Sequence, residues 1–162
     1  MLKKRYKNAP NYLLRPIPIL FYKPIMQRMT AHIAQKHPNL FARLGTHTNK
    51  RFLINPTNMP FVLLLKPDPE NPIMQVYRRS EGLCPDAEIS GSFVNLLRLM
   101  DGELDGDSLF FSRDLKVVGD TEAVVCLRNA LDDIDGSVLG DLAARLGRPG
   151  GAALSVLRRM EA

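Results

Sequence analysis

The stretch GELDGDSLFFSRDLKVVGDTEAVVCLRNALDD, residues 102–133, decides the fold more than any other part of the chain. After a polar turn and an aromatic pair, LKVV at residues 115–118 has the apolar, β-branched character of a short strand, which Gly119 ends. Asp120 then stands where a helix cap belongs, because its carboxylate can accept hydrogen bonds from the amides of the first turn. The apolar positions of that helix recur at i, i+3 and i+7: Val124, Leu127 and Leu131. This block contains no His and predicts an apolar wall, not a catalytic site.

Similar patterns continue on both sides of this block. Strands are predicted at residues 51–55, 61–66, 73–79, 86–91 and 115–118. The segment FVLLL at 61–65 is apolar on both faces, which predicts a strand covered on both sides. Helices are predicted from about Pro18 or Pro24 to Lys36, around 40–44, after Ser92, after Ser137, and after a GRPGG turn at 147–151. The pattern predicts one α+β domain with an N-terminal extension.

The charges are distributed unevenly along the 162 residues. Residues 1–67 hold 12 Lys or Arg and no Asp or Glu, whereas residues 68–162 hold 10 basic and 17 acidic residues. The two parts therefore carry +12 and −7, which together give the chain's +5. A basic end of this kind is typical of a protein that meets a polyanion, either nucleic acid or an anionic membrane surface. No run of about 18 uninterrupted apolar residues occurs, so no transmembrane helix is predicted.

Residues 86–133 resemble the sterol carrier protein 2 (SCP2) domain family. The resemblance rests on a strand, the Ser-Gly-Ser entry to a helix at 90–92, the GELD turn at 102–105, the LFF segment at 109–111, and LKVVGD at 115–120 followed by a helix. Together with the basic, proline-punctuated N-terminal segment, the chain is similar to the bacterial accessory factors of oxygen-independent (anaerobic) ubiquinone biosynthesis. The resemblance implies an SCP2-like α+β fold, in which an about five-stranded, mostly antiparallel sheet is covered by helices around an apolar tunnel. Residues 1–45 would form a basic arm and an amphipathic helix, and residues 46–162 the lipid-binding domain.

The same resemblance implies a lipid-binding accessory protein and not an enzyme. Such a protein would bind prenylated quinone precursors and phospholipids in the tunnel, without a cofactor. It would present the precursors to partner iron–sulfur hydroxylation proteins of the ubiquinone pathway. The expected location is the cytoplasm, peripherally associated with the inner membrane. The sequence leaves the oligomeric state open, a homodimer included.

Two sets of candidate residues follow from the predicted inward faces and from the basic segment. The candidates for lipid binding are Phe21, Ile25, Met26, Met29, Ile33, Phe61, Leu63, Met74, Val76, Phe93, Leu96, Leu97, Met100, Phe110, Phe111, Val117, Leu127 and Leu131. The candidates for membrane contact are Lys3, Lys4, Arg5, Lys7, Arg15, Lys23 and Arg28. An ordinary packed core and a solvated basic tail are the simpler interpretations of the same residues.

No metal site or catalytic group is predicted. The acidic run 101–107 has calcium-loop spacing, but the twelfth position is Ser112 where a bidentate Glu belongs. His32 and His37 are five residues apart, which places them on different faces of a helix. The two cysteines, Cys84 and Cys126, are far apart in sequence and form neither a zinc motif nor a disulfide framework.

Three alternatives remain open at the level of sequence. The first is a general fatty-acyl or sterol carrier of the SCP2 type. The second is a nucleic-acid-binding protein that places the basic arm, including Lys3, Lys4 and Arg5, on phosphates, although no nucleic-acid-binding motif is recognisable and no nucleic-acid partner is expected. The third is an enzyme whose catalytic residues are dispersed along the chain.

Overall fold

The computed structural model describes residues 19–100, 114–133, 138–145 and 147–159. Its strands are β1 (Phe52–Pro56), β2 (Phe61–Lys66), β3 (Ile73–Arg78), β4 (Ala87–Gly91) and β5 (Leu115–Gly119). Its helices are α1 (Ile19–Lys36), α2 (Pro38–Ala42), α3 (Phe93–Met100), α4 (Thr121–Asp132), α5 (Val138–Arg145) and α6 (Gly147–Arg159), with a 3-10 turn at Gly45–His47. In this part of the chain, no helix is long and apolar enough to cross a membrane.

The strands form one sheet in the order β3-β2-β1-β4-β5. Strand β1 pairs antiparallel with β2 and parallel with β4, and the pairs β2–β3 and β4–β5 are antiparallel. The α+β class and the five-stranded, mostly antiparallel sheet are therefore confirmed. The predicted strand boundaries agree with the observed ones to within one residue.

One face of the sheet carries the main core. Because side chains alternate along a strand, Phe52 and Ile54 of β1 point to the same side, as do Ala87 and Ile89 of β4. Phe52, Ala87 and Ile89 belong to one buried cluster, and Ile54 packs against it. Helices α1, α2, α3 and α4 contribute the other side of this cluster, with Ile33, Leu40, Phe41, Leu96, Leu99, Ala123, Val124, Leu127 and Ala130. The core thus lies between one face of the sheet and these four helices.

The opposite face of the sheet carries a polar network. Glu88 of β4 accepts hydrogen bonds through Oε1 from Asn55 Nδ2 at 2.7 Å and from Ser90 Oγ at 2.6 Å. Burial raises the pKa of Glu88, but these hydrogen bonds and the nearby charges of Lys116 and Arg79 outweigh it and hold the pKa below its usual value. The Glu88 carboxylate is therefore ionised at neutral pH and links β4 to β1 through Asn55.

The prediction that β2 is covered on both faces is confirmed for its first half. Phe61 points to the helix side and Val62 to the other, and both are buried. Leu63 and Leu64, farther along the strand, are half-buried. Strand β2 lies one place from the edge of the sheet, between β3 and β1.

A tight turn joins β5 to α4, as predicted. Gly119 has φ +85°, and a Cβ atom there would lie 2.4 Å from the backbone oxygen of Asp86, so only glycine fits. The next residue, Asp120, accepts a hydrogen bond from Ala123 N through Oδ1 at 3.0 Å and caps α4. That backbone hydrogen bond, followed by one from Lys50, lowers the pKa of the Asp120 carboxyl.

Helix α5 is held against the C-terminal part of α1 by polar contacts. Lys36 forms an ion pair with Asp141, and the same carboxylate lies 3.2 Å from His37 Nε2. The hydrogen bond from Lys36 is the largest influence on Asp141 and lowers the pKa of its carboxyl. Arg145 Nη1 lies 3.1 Å from Nδ1 of His32, on the preceding turn of α1. These contacts fix where α5 meets α1.

One predicted helix start agrees with the structure and one differs. Helix α1 begins at Ile19, next to Pro18, the first of the two predicted starts, and contains Pro24, the second. The GRPGG segment, predicted as a turn, forms the beginning of α6 instead. Proline is tolerated near the start of a helix because the amides there need no partner within the helix. The predicted division between residues 45 and 46 falls in the 3-10 turn, and residues 1–18 of the predicted arm lie outside the described residues.

Candidate functional site

A small apolar cavity lies inside the main core, between the sheet and the helices. Its volume is about 60 Å³. It is lined by Thr30, Ile33, Leu40, Phe41, Ile54, Leu65, Met74, Ile89, Leu96, Leu99, Met100, Val124, Leu127, Arg128 and Leu131. The described residues therefore enclose a small apolar cavity between the sheet and the helices, and the predicted tunnel stays a prediction.

Four neighbouring strands form one wall of the cavity. Ile54 of β1 is paired with Ile89 of β4, and Leu65 of β2 is paired with Met74 of β3. All four side chains point to the helix-covered face, because the register keeps the inward positions of adjacent strands beside one another. The wall is apolar across the width of the four strands.

Helices α1, α2, α3 and α4 form the other walls, and α2 contributes Leu40 and Phe41. On α3, Leu96, Leu99 and Met100 recur at i, i+3 and i+4 and so share one face. On α4, the lining positions repeat with the same helical period: Val124, Leu127, Arg128 and Leu131. The amphipathic pattern that predicts these helices also predicts which side they turn to the sheet.

Two of the lining residues are polar. The Thr30 hydroxyl is buried and donates to the backbone oxygen of Met26 at 2.9 Å, within its own helix. Arg128 Nη2 lies 3.1 Å from Asp132 Oδ2 at the i, i+4 spacing, and its side chain is 16% exposed. The rest of the lining offers hydrocarbon and thioether surface to a guest.

The volume of the cavity limits what it can hold without rearrangement. A cavity of about 150 Å³ accommodates one benzene molecule, so about 60 Å³ is less than one aromatic ring needs. A lipid tail can enter only if lining side chains move. Met74 and Met100 are suited to such movement, since unbranched thioether chains adapt to guests of variable shape.

The described lining offers mainly apolar surface. Among the described lining residues there is no His, Cys, Ser, Asp, Glu or Tyr that could act as a nucleophile or a general acid or base. Within the described ranges, no group of three or more His, Cys, Asp or Glu is placed to hold a metal ion. Cys84 and Cys126 are free thiols, and Cys126 packs against the main core.

The predicted lipid-binding residues separate into several groups. Those that line the cavity are Ile33, Met74, Leu96, Met100, Leu127 and Leu131. Met29 and Val117 pack against the same core cluster without lining the cavity. A second, smaller cluster around Met59 contains Met26, Phe61, Leu63, Val76 and Phe93. Leu97 is half-buried and belongs to neither group.

The remaining candidates cannot be placed. Phe110 and Phe111 lie outside the described residues, as do the side chains of Phe21 and Ile25. The same is true of Lys3, Lys4, Arg5, Lys7 and Arg15. The two described candidates for membrane contact, Lys23 and Arg28, are exposed on α1.

Several lining residues were not among the candidates. They are Thr30, Leu40, Phe41, Ile54, Leu65, Ile89, Leu99, Val124 and Arg128. Strand alternation could have identified Ile54, Leu65 and Ile89, since each lies an even number of residues from another inward position of its strand. Arg128 gives no such signal, because a charged residue next to Leu127 is ordinarily assigned to solvent.

Three solved structures are similar to this chain to different degrees. One, described as "UbiJ-SCP2 Ubiquinone synthesis protein", is 17% identical, with a TM-score of 0.56 over 72% of this chain and 93% of that one. The sterol carrier protein 2 of Yarrowia lipolytica in its apo form is 13% identical over 68% of this chain and 86% of its own, with a TM-score of 0.46. The sterol carrier protein domain 2 of Helicoverpa armigera is 17% identical over 70% of this chain and 90% of its own, with a TM-score of 0.45.

Sequence comparison gives the family directly. No curated protein matches the chain by sequence. The family model described as "SCP-2 sterol transfer family", however, matches residues 30–132, which is well over half of the chain. The matched range runs from the middle of α1 to the end of α4 and includes all five strands. The chain belongs to the SCP-2 sterol transfer family.

Proposed function

We propose that this protein is a non-enzymatic lipid-binding accessory protein that takes up prenylated quinone precursors. The hydrocarbon tail occupies the apolar cavity between the sheet and helices α1, α2, α3 and α4. The observation that carries the proposal is the lining itself, since thirteen of the fifteen described residues in it are apolar. Membership of a family described by sterol transfer supports a lipid as the guest.

Burial of hydrocarbon accounts for affinity without any catalytic group. Each CH₂ moved from water into the lining contributes about 0.8 kcal/mol. A tail of a few isoprene units therefore supplies most of the binding free energy, after the cost of displacing the side chains that now fill the space. A general fatty-acyl or sterol carrier would use the same lining, and the two proposals differ in which lipid competes best.

The proposal includes the ubiquinone pathway because of a similarity of folds. The structure described as "UbiJ-SCP2 Ubiquinone synthesis protein" shares the fold over most of both chains. Under this proposal, the protein presents prenylated precursors for oxygen-independent hydroxylation by partner iron–sulfur proteins. The basic N-terminal part and the exposed Lys23 and Arg28 of α1 then bring the protein to an anionic membrane from the cytoplasmic side.

Two neighbouring valines on α4 provide a matched test. Val124 is 1% exposed and lines the cavity, whereas Val125 is 46% exposed. Val124→Met places a longer side chain in the cavity and should weaken binding of a farnesylated phenol at least tenfold. Val125→Met makes the same chemical change on the outer side of the helix and should leave the affinity unchanged.

Isothermal titration calorimetry of the wild type and both variants measures this difference. Thermal unfolding is followed in parallel, because overpacking a core costs about 1–3 kcal/mol and the comparison requires folded protein. Competition of a fatty acid and of a sterol with the farnesylated phenol ranks the affinities of the protein for these three classes of lipid. Equal affinities of the two variants would place the lipid elsewhere, and a wild type that binds none of the lipids would refute the proposal.

A further inference from the structure

One side of the interior cavity approaches the molecular surface between helices α3 and α4. Along α4, Val124 and Leu127 are 1% and 5% exposed, whereas Arg128 and Leu131, farther along the helix, are half-buried. Met100, the last residue of α3, is half-buried as well. All five of these residues line the cavity. We call the part that Met100, Arg128 and Leu131 form the cavity rim.

Arg128 joins the apolar lining to a charge at the cavity rim. Among the described residues that line the cavity, Arg128 is the one that carries a charge, and the surface of the cavity is almost wholly apolar. The hydrocarbon stem of Arg128 therefore contributes to the wall, while its charged end is directed toward water. Nη2 of the guanidinium lies 3.1 Å from Oδ2 of Asp132, whose side chain is 35% exposed. The guanidinium thus lies on the outer side of the wall.

The Asp132 carboxylate can be replaced beside Arg128 by another acceptor. Because the Asp132 side chain is partly exposed, its carboxylate can turn to water when a guest takes its place. The Arg128 side chain is only 16% exposed, and a charge largely removed from water requires a partner of opposite charge. A guanidinium binds a carboxylate or a phosphate through two parallel hydrogen bonds. The cavity rim therefore suits a head group that carries an oxyanion.

A second ion pair lies at the same end of α4 and does not take part in the lining. Arg43 pairs with Asp133, and both of these side chains are more than half exposed. Arg43 is not among the described residues that line the cavity. An acidic guest would therefore replace the carboxylate of Asp132 at Arg128 and leave the pair of Arg43 and Asp133 as it is.

Resting on the proposed function, we infer that Arg128 is the head-group contact that favours acidic lipids. The hydrocarbon tail lies in the interior cavity, and a carboxylate or phosphate at the end of the guest lies at the cavity rim on the guanidinium of Arg128. An aromatic carboxylic acid with a prenyl tail combines this head group with the proposed class of guest. A prenyl phosphate offers the same chemistry to the guanidinium, and the experiment separates the two.

Three probes with the same farnesyl tail test the head-group contact by isothermal titration calorimetry. A farnesylated hydroxybenzoic acid carries a carboxylate, farnesyl phosphate carries a phosphate, and farnesylated phenol carries no anion. Arg128→Met keeps a hydrocarbon stem in the wall and removes the charge. It should weaken binding of the acidic probes about tenfold, near the lower end of the effect of a hydrogen bond to a charged group, because Asp132 competes for the guanidinium. The affinity for farnesylated phenol should change less than threefold.

A change of the competing carboxylate should have the opposite effect. Asp132→Asn removes the negative charge that the guest replaces, so it should strengthen binding of the acidic probes about threefold. An ion pair with a purely structural role would weaken binding of every probe whichever partner were changed. Arg43→Met is the matched control, because it removes an equal charge at the same end of α4, outside the described lining, and should change each affinity less than twofold. If Arg128→Met does not fold, Arg128→Gln replaces it with the same expected result.

The outcomes separate the inference from the proposed function. If the wild type binds none of the three probes, both fall. If the probes bind but the folded Arg128 variant weakens all of them equally, or none of them, the head-group contact is wrong while the proposed function stands. Weaker or unchanged binding of the acidic probes to Asp132→Asn would likewise overturn the exchange of partners at Arg128. A loss in the Arg128 variant confined to the carboxylate probe would identify the aromatic acid as the guest, and a loss confined to farnesyl phosphate would identify a phosphate head group.

Discussion

Arg79 is the residue that holds the β1–β2 connection in place. Its Nη1 donates to Asn55 Oδ1 at 2.6 Å, and its Nη2 donates to the backbone oxygens of Pro56 and Met59 at 2.7 and 2.9 Å. The planar guanidinium presents two spaced nitrogen atoms to these acceptors, whereas an ammonium group presents only one. Because Met59 belongs to the second apolar cluster, Arg79 also fixes one end of that cluster.

Arg79→Lys should therefore lower the free energy of unfolding by about 1–2 kcal/mol, because it removes most of these hydrogen bonds. Urea denaturation measures the change. Arg78→Lys is the matched control: the neighbouring side chain is exposed, and the change should be within about 0.5 kcal/mol of zero. If both variants lost the same stability, the three hydrogen bonds would not account for the role of Arg79.

At the level of single residues, the sequence predicts which side chains face the core better than it predicts which of them line the cavity. The helical period identifies Leu96, Leu127 and Leu131 as inward-facing, and all three line the cavity. The same kind of argument selects Phe61 and Val76, which are buried but pack in the second cluster. Periodicity reports only whether a side chain faces inward. Whether it meets a void or another side chain depends on packing between elements that are distant in sequence.

At the level of elements, the boundary between β5 and α4 follows from local chemistry. Gly119 is required by the positive φ of the turn, and Asp120 caps the helix through Ala123 N. Both are short-range effects, which is why the sequence predicts them. The GRPGG segment shows the limit of such reasoning, since α6 begins within it although glycine and proline favour turns.

The stability that the N-terminal cap of α4 contributes depends on pH, because the Asp120 carboxyl group titrates. Its pKa is lower in the folded protein than the usual value of 3.8, so the cap contributes stability fully above pH about 4. The contribution is lost as the pH falls through the lower folded-state pKa. Asp120→Asn keeps an oxygen that can accept from Ala123 N but does not titrate.

Denaturant unfolding of wild type and Asp120→Asn from pH 7 to pH 3 tests this dependence. The wild type should be the more stable protein at neutral pH, and the difference should decrease as the solution becomes acidic. A difference between the two proteins that does not change with pH would show that ionisation of Asp120 contributes nothing to the cap.

At the level of the whole molecule, positive charge is concentrated in one part of the chain, and that part also supplies some of the cavity lining. Residues 1–67 hold 12 basic and no acidic residues, whereas nine of the fifteen described residues that line the interior cavity lie after residue 67. Under the proposed function, the basic residues bring the protein to the membrane and the cavity holds the tail. A basic residue near an anionic membrane surface contributes about 1 kcal/mol.

Replacing Lys3, Lys4, Arg5 and Lys7 by Gln should therefore weaken binding to vesicles of anionic lipid at least tenfold. Vesicle co-sedimentation at low and high salt measures this, and the affinity should fall as salt is added. Vesicles of zwitterionic lipid and a short RNA at the same salt serve as controls. RNA bound more tightly than anionic vesicles would favour the nucleic-acid alternative.

The fold of the whole molecule could be predicted from the sequence, but the volume of the interior cavity could not. The strand pattern and the resemblance of residues 86–133 suffice for the sheet and its cover of helices, because many residues specify them together. The volume of about 60 Å³ depends on how closely particular side chains approach one another. No periodic pattern encodes that distance.

The central claim is that the interior cavity opens to admit a prenyl tail. Native mass spectrometry of the protein as isolated, followed by extraction and identification of any bound lipid, tests it most directly. The account predicts a population with the added mass of one prenylated aromatic lipid, which Val124→Met reduces and Val125→Met preserves. A protein that carries no lipid as isolated, and gains no mass when farnesylated phenol is supplied, would contradict the account.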